Sequence, residues 1–180
     1  MVNRSINSEI SIRSDVHSRL NAAQRYAERG IDQRSEVGVG CVLTVAVDKT
    51  PTTDQDRDVA KKFSYGGFNI AMSGMQVKLH AEQLALYQAI CDLQMQDVEP
   101  ASQLDEVIVV STEQDGRLKC GHCLQVMQSA ADYFGWDPSE VDYIAGKEVE
   151  LENVTDDKKV TRWEITETTL EELFSGSYIE

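Results

Sequence analysis

Apolar positions follow two different periods along this chain. Ile10, Val16, Leu20, Ala23 and Ala27 recur at roughly helical spacing, and Gly30 supplies a stop, which predicts a helix over 10–29. The run from Val37 to Val47 is short and rich in β-branched residues, so it predicts a buried strand. A polar loop over 48–62, holding Pro51, precedes a second strand at 64–72, and the two are expected to pair as an antiparallel hairpin with a long tip. Residues 80–94 read as a helix. Leu84, Leu86, Tyr87, Ile90 and Leu93 cover much of its circumference, so it is expected to be well buried. A third strand is predicted at 106–111, a turn-rich loop at 112–117, and a second buried helix at 120–134 around Leu124, Val126, Met127 and Ala131. Strands at 141–145 and 159–165 flank an acidic loop over 146–157 with no helical pattern. A parallel crossover usually needs a helix, so these two are expected to pair antiparallel. A short helix at 169–174 closes the chain.

The order α-β-β-α-β-α-β-β-α predicts an α/β fold, a three-layer α/β/α sandwich on a mixed five-stranded sheet. Residues 1–9 are polar and expected to be loose. Residues 10–180 read as one domain without internal repeats.

Charge and cysteine usage narrow the function. Seventeen Lys and Arg against 31 Asp and Glu give a net charge of −14. Such a surface repels phosphate backbones and anionic bilayers, so neither nucleic acid nor membrane is expected as a partner. The Val37–Val47 run is too short to span a bilayer, and the first ten residues hold no apolar signal core, so the expected location is cytoplasmic. Four cysteines are too few for a disulfide scaffold, and Cys120 and Cys123 form a Cys-x-x-Cys pair. This favours a reducing compartment and a metal or redox role. Cys41 and Cys91 lie in apolar stretches and are expected to be buried free thiols.

The candidate chemistry sits at the starts of two predicted helices: His80-Ala81-Glu82 and Cys120-Gly121-His122-Cys123. Zinc takes imidazole nitrogen and thiolates in tetrahedral sites, and a catalytic zinc keeps one position open. His80, Cys120 and Cys123 would supply three ligands. Helix N-termini favour the thiolate form that binding requires. The strand between the helices can bring both N-termini to one end of the sheet, where open α/β sheets place ligands. Glu82 lies two residues from His80. In the first helical turn both side chains can reach a metal off the helix end, which makes Glu82 a candidate general base. A thioredoxin-like redox pair is the rival reading of the cysteines, and it leaves His80-Ala81-Glu82 without a purpose. His122 is expected to point away from the site, and the acids between 148 and 157 read as solvated surface.

His80-x-Glu82 followed by Cys120-x-x-Cys123 resembles the signature of the zinc nucleoside and nucleobase deaminases, H-x-E then P-C-x-x-C. The surrounding segments are similar to the cytidine deaminase family. VGVGCVL (37–43) resembles its VGAALL strand, GFNIAMSGMQVKLHAEQLAL (67–86) its G-x-N-x-E segment and ligand helix, and KCGHCLQVM (119–127) its P-C-G-x-C-R-Q-V. TLEELFSGSY (169–178) resembles its C-terminal helix and aromatic end, so the likeness spans about residues 15–178. Four positions depart from the family: Lys119 for proline, Ala71 for the ribose-binding glutamate, Ser35 for a phenylalanine and Leu124 for arginine.

The resemblance implies zinc-dependent hydrolytic deamination of cytidine or deoxycytidine to the uridine product, with ammonia released. One zinc per chain would sit on His80, Cys120 and Cys123. Glu82 would move a proton from water to N3 and then to the departing amine, and Asn69 would bind the ribose. It also implies a homo-oligomer: a tetramer as in single-core members, or a dimer as in the larger members that use a histidine ligand. The departures leave two alternatives: a deaminase of another cytosine-bearing compound, such as a nucleoside antibiotic or deoxycytidine monophosphate, or a zinc-binding module without catalysis.

Overall fold

The computed structural model describes residues 14–30, 37–47, 61–71, 78–95, 102–112, 120–150 and 161–175. The first helix, α1 (Ser14–Ala27), leads into β1 (Val39–Val47) and β2 (Lys61–Phe68). A small ladder of β3 (Ile70–Ala71) with β4 (Lys78–Leu79) precedes helix α2 (Ala81–Met95) and strand β5 (Ser102–Ser111). Helix α3 (Gly121–Phe134) and a 3-10 turn at Pro138–Glu140 come next. Strands β6 (Asp142–Glu150) and β7 (Thr161–Thr169) and the short helix α4 (Leu170–Phe174) complete the order.

The main sheet runs β2-β1-β5-β6-β7. Within this sheet the β5–β6 pair is parallel, and β1–β2, β1–β5 and β6–β7 are antiparallel. The chain therefore has an α/β fold with a mixed five-stranded sheet and flanking helices, as the element order predicts.

Alternation along the strands divides the interior in two. Cys41, Leu43, Val45, Val107 and Val109 face one side with α2, α3 and α4. Val42, Ile108, Val110 and Ile144 face the other, where they meet Val16, Leu20 and Ala23 of α1. Helix α1 lies close on the sheet: a Cβ at Gly40 would fall 1.9 Å from the Ala23 carbonyl oxygen. Helix α2 sits equally close on the opposite face, because a Cβ at Gly67 would fall 2.1 Å from the Ala81 oxygen. That contact seats the first turn of α2, which carries the candidate chemistry, directly over the sheet.

A β-bulge resets the alternation of β5. Thr44 pairs with Glu106 and Val45 with Leu104, which leaves Asp105 as the extra residue. Leu104 and Val107, three apart, therefore share one core, while Glu106 turns to the α1 side. There Arg19 grips both carboxylate oxygens, Nε at 2.6 Å and Nη2 at 3.1 Å.

Several expectations need correction. The second strand stops at Phe68; beyond Asn69 the chain pairs with Lys78–Leu79 instead. Strand β5 begins at Ser102, because Gln103 and Asp105 alternate with buried Ser102 and Leu104. Strand β6 continues through Glu150, where a loop is expected from residue 146, and β7 extends to Thr169. β7 is the edge strand and β6 runs beyond its pairing with β5 after Gly146; exposed acids such as Glu148 and Glu164 make the alternation there half-polar, so it reads as loop. Helix α4 starts at Leu170, with Thr169 as its cap accepting from the Glu172 N–H at 3.3 Å. Helices α2 and α3 are buried on one face only. Leu86, Ile90, Val126, Ala130, Tyr133 and Phe134 line an apolar groove of about 300 Å³ on the outside, and Tyr133 is 75% exposed. The expected loose segment, 1–9, lies outside the described residues. Among those residues no helix is long and apolar enough to cross a membrane.

Candidate metal centre

His80 and Cys120 occupy equivalent places: each immediately precedes a helix and offers its carbonyl to that helix's first hydrogen bond. Leu84 N–H donates to His80 O at 3.0 Å, and Leu124 N–H donates to Cys120 O at 2.9 Å. Good cap residues use a side-chain oxygen to satisfy the orphan N–H groups of the first turn. Cys120 has an extended backbone and makes no side-chain cap bond, so its thiol is left to other partners. At α2 the capping is done in reverse. Buried Gln83 accepts from the His80 N–H at 3.1 Å, the second half of a capping box, and fixes the backbone of His80 without using its ring.

The parallel β5–β6 pair and the intervening α3 bring Cys120 and Cys123 to the end of the sheet reached by α2. One donor atom from each of His80, Cys120 and Cys123 lies within 4.8 Å of the others. Four ligands at the usual 2.0–2.3 Å from a tetrahedral zinc stand about 3.3–3.8 Å apart. A contraction of about 1 Å in the widest pair closes the set on an ion, and an imidazole with two thiols is the donor chemistry zinc takes. The three sequence-predicted ligands thus come together in space.

Glu82 lies in the same first turn and is only 4% exposed. Burial raises its carboxyl above the usual range, while its own backbone N–H and the Cys123 thiol, both bonded to it, pull the value back down. Burial is the larger effect, so the net direction is upward. Burial also raises the Cys123 thiol, reinforced by the charges of Glu82 and Cys120. A cation at the cluster would oppose that rise, because thiolate is the binding form.

Sequence reasoning passed over the surroundings. Cys41, fully buried on β1, has its thiol raised first by burial and then by Glu82. Tyr143 of β6 is buried in the same core, and its phenol feels Glu82, Cys41, Cys123 and Cys120. Its odd-numbered place in β6, on the face shared with Cys41, was the available signal. His122 is exposed, and its ring meets the His80 ring edge-on with centroids 6.4 Å apart. It lies beside the cluster, contrary to the expectation that it points away. Cys91 is exposed, contrary to the expected burial, because it falls on the outer side of α2.

Asn69 sits between β2 and β3 and is 7% exposed. Its Oδ1 accepts from the Val39 N–H at 2.7 Å, and its Nδ2 donates to the Val37 carbonyl at 2.8 Å. One lone pair and one N–H remain on the amide for anything else. Ala71 stands opposite Lys78 in the β3–β4 ladder.

This architecture is the fold of cytidine deaminases. The chain is similar to the cytidine deaminase of Burkholderia pseudomallei, with a TM-score of 0.55 and 18% identity over 87% of this chain and 94% of that one. It also matches the cytidine deaminase of Mycobacterium tuberculosis, with a TM-score of 0.43 and 20% identity over 72% and 83% of the two chains. That of Mycobacterium leprae matches with a TM-score of 0.43 and 18% identity over 72% and 86%. No protein-family model matches the sequence, and no curated protein does either.

Proposed function

We propose that the protein is a zinc-dependent hydrolase that deaminates cytidine or deoxycytidine to the uridine product with release of ammonia. The observation that carries this reading is the convergence of one imidazole, two thiols and one buried carboxyl at a single end of the sheet. The likeness of fold to a cytidine deaminase supports it.

His80, Cys120 and Cys123 are the residues that would hold the metal. When bound, zinc supplies a Lewis acid that lets water ionise near neutral pH. Glu82 would take a proton from the attacking water as its oxygen bonds to C4 and deliver it to N3 of the cytosine ring; it would then carry the proton of the new C4 hydroxyl to the amine as the C4–N bond breaks and ammonia leaves. Its burial suits this task, because a carboxyl raised above its ordinary value is a stronger base for the proton it must accept and return. The amide of Asn69 can offer the ribose one N–H and one lone pair.

A second reading differs only in substrate. Ala71 stands where the related family has a ribose-binding glutamate, so the contact that glutamate would make to the sugar is missing here. The second reading is therefore a deaminase of another cytosine-bearing compound, such as deoxycytidine monophosphate. In either case residues 10–180 would act as one domain in the cytoplasm, the compartment suited to four free cysteines. The assembly is a homo-oligomer, a tetramer or failing that a dimer, and the outward apolar groove between α2 and α3 supports it.

The test is ammonia release from a panel of cytosine, cytidine, deoxycytidine and their monophosphates by protein reconstituted with one equivalent of zinc. Turnover of a nucleoside supports the first reading, and turnover confined to monophosphates supports the second. Full zinc loading with no turnover of any member leaves a binding module and sinks the enzyme.

A further inference from the structure

Two residues hold the head of β1 from opposite sides. On the β2 side, the Asn69 N–H donates to the Val39 carbonyl at 3.0 Å, while the side chain bonds the Val39 N–H and the Val37 carbonyl. On the β5 side, the Thr112 N–H donates to the Gly38 carbonyl at 2.9 Å, and its Oγ1 accepts from the Gly38 N–H at 2.9 Å. The polar backbone groups of three consecutive residues are thus shared between two neighbouring strands. The head of β1 has little freedom to shift, because a Cβ at Gly38 would fall 2.0 Å from the Ala27 carbonyl oxygen.

The placement of these two residues gives the clamp a consequence. Asn69 is where β2 ends, and from it the chain runs through the β3–β4 ladder to His80. Thr112 immediately follows β5, and from it the chain runs to Cys120. Each clamp residue therefore stands at the end of its strand, on the way to a metal ligand. Asn69 grips Val37 and Val39 while Thr112 grips Gly38 between them, so the head of β1 ties together the two strand ends that lead to the ligand-bearing segments.

We propose that Asn69 and Thr112 are positioning residues, a two-sided clamp on Val37–Val39 that aligns His80 with the Cys120–Cys123 pair. Neither touches metal or substrate in this role. The proposal rests on the metal centre proposed above. It gives the Asn69 amide a purpose that needs no ribose, and it assigns Thr112, a residue outside any sequence motif.

The test compares Asn69→Asp, Thr112→Val, the double variant and Thr44→Val. The first keeps the acceptor and loses the donor, and the second removes the hydroxyl at nearly constant shape. The control removes the hydroxyl contact of Thr44 with Ser64, 3.3 Å, farther along the same strand. Zinc affinity is read by chelator competition, and site geometry by the absorption of the cobalt-substituted protein. Each clamp variant is expected to lose about 10–100-fold in affinity, the range seen when outer-sphere support is removed. The cobalt spectrum should change in both. The double variant should depart from the product of the single losses by at least about twofold, because the two grips share one strand head. Thr44→Val should bind zinc as the wild type does.

Wild-type affinity in both clamp variants overturns the proposal, as does an equal loss in Thr44→Val. An Asn69→Asp protein with unchanged zinc affinity, a raised KM for cytidine and an unchanged KM for free cytosine makes Asn69 a ribose ligand instead. If the wild type binds no zinc, the proposed function fails by itself. The clamp is then read in the metal-free protein by amide exchange over 80–84 and 120–124. Faster exchange in the clamp variants alone supports it, and unchanged rates refute it.

Discussion

The cluster around His80 and the neighbouring Asn69 segment contrast sharply, although they belong to one stretch of chain. At the cluster, residue type, spacing and geometry coincide: three donors and a buried acid meet where the sequence motif requires them. At Asn69 the residue type is also the one the family resemblance calls for, yet its amide is bonded to the backbone of β1. The lesson concerns what a motif encodes. Metal ligation needs particular atoms, and few residue types provide them. An asparagine has four hydrogen-bonding positions and can serve backbone or ligand equally.

That contrast can be broken most forcefully at the cysteines. Cys120→Ala should lose zinc by more than the roughly 10–100-fold cost of outer-sphere changes. Elemental analysis of purified protein checks this, and full zinc occupancy in the variant would remove Cys120 from the ligand set. Glu82→Gln comes next. It should keep fold and zinc, because an amide of equal size replaces a non-ligand, while turnover falls by about 10²–10⁴. Undiminished ammonia release would leave Glu82 as a helix-start acid worth only about 0.3–1 kcal/mol.

Arg19→Met provides a comparison remote from the cluster. Burial raises the Glu106 carboxyl, and Arg19 is what pulls it back down. A raised carboxyl makes the folded state bind the extra proton, so its contribution is present below the unfolded value and is lost as pH rises through the folded one. Removing Arg19 raises Glu106 further and widens that window. The variant should therefore be less stable than wild type by about 1–3 kcal/mol at pH 7, and by less near pH 4. Urea midpoints at the two pH values measure this, and an equal loss at both would mean the pair does not act through charge. The smallest effect is expected at Gly30. A Cβ there would fall 2.1 Å from Asn69 Oδ1. Gly30→Ala should push the amide off the head of β1 and lose its two side-chain bonds, at a cost of about 1–2 kcal/mol. An unchanged Tm would mean that Asn69 gives way without losing its bonds.

The sequence makes the cluster legible because its ligands recur at fixed offsets next to helix starts. The buried strands are legible because Val37–Val47 and Val107–Val110 leave no alternative to sheet. What escaped has physical reasons. The bulge at Asp105 inserts a polar residue among apolar ones, and nothing local reveals which residue is extra. Strand β7 pairs Trp163 and Ile165 on one face with exposed Arg162 and Glu164 on the other, so half of it looks like loop. Cys91 differs from buried Ala89 only by its angle around α2. Thr112 is silent because its value lies in a hydrogen bond to a strand far away in sequence.

The separation of His80 from Cys120 along the chain has one more effect, best expressed in the language of polymer loops. An unfolded chain gathering these ligands around an ion must close a loop of about 40 residues, an entropic cost near 4 kcal/mol. The folded sheet has already closed that loop through the β1–β5 pairing and the docking of both helices. On that count alone the native chain should hold the ion about a thousandfold more tightly than the unfolded chain does. A metal held by these distant segments would therefore be taken up far more readily after folding than before it.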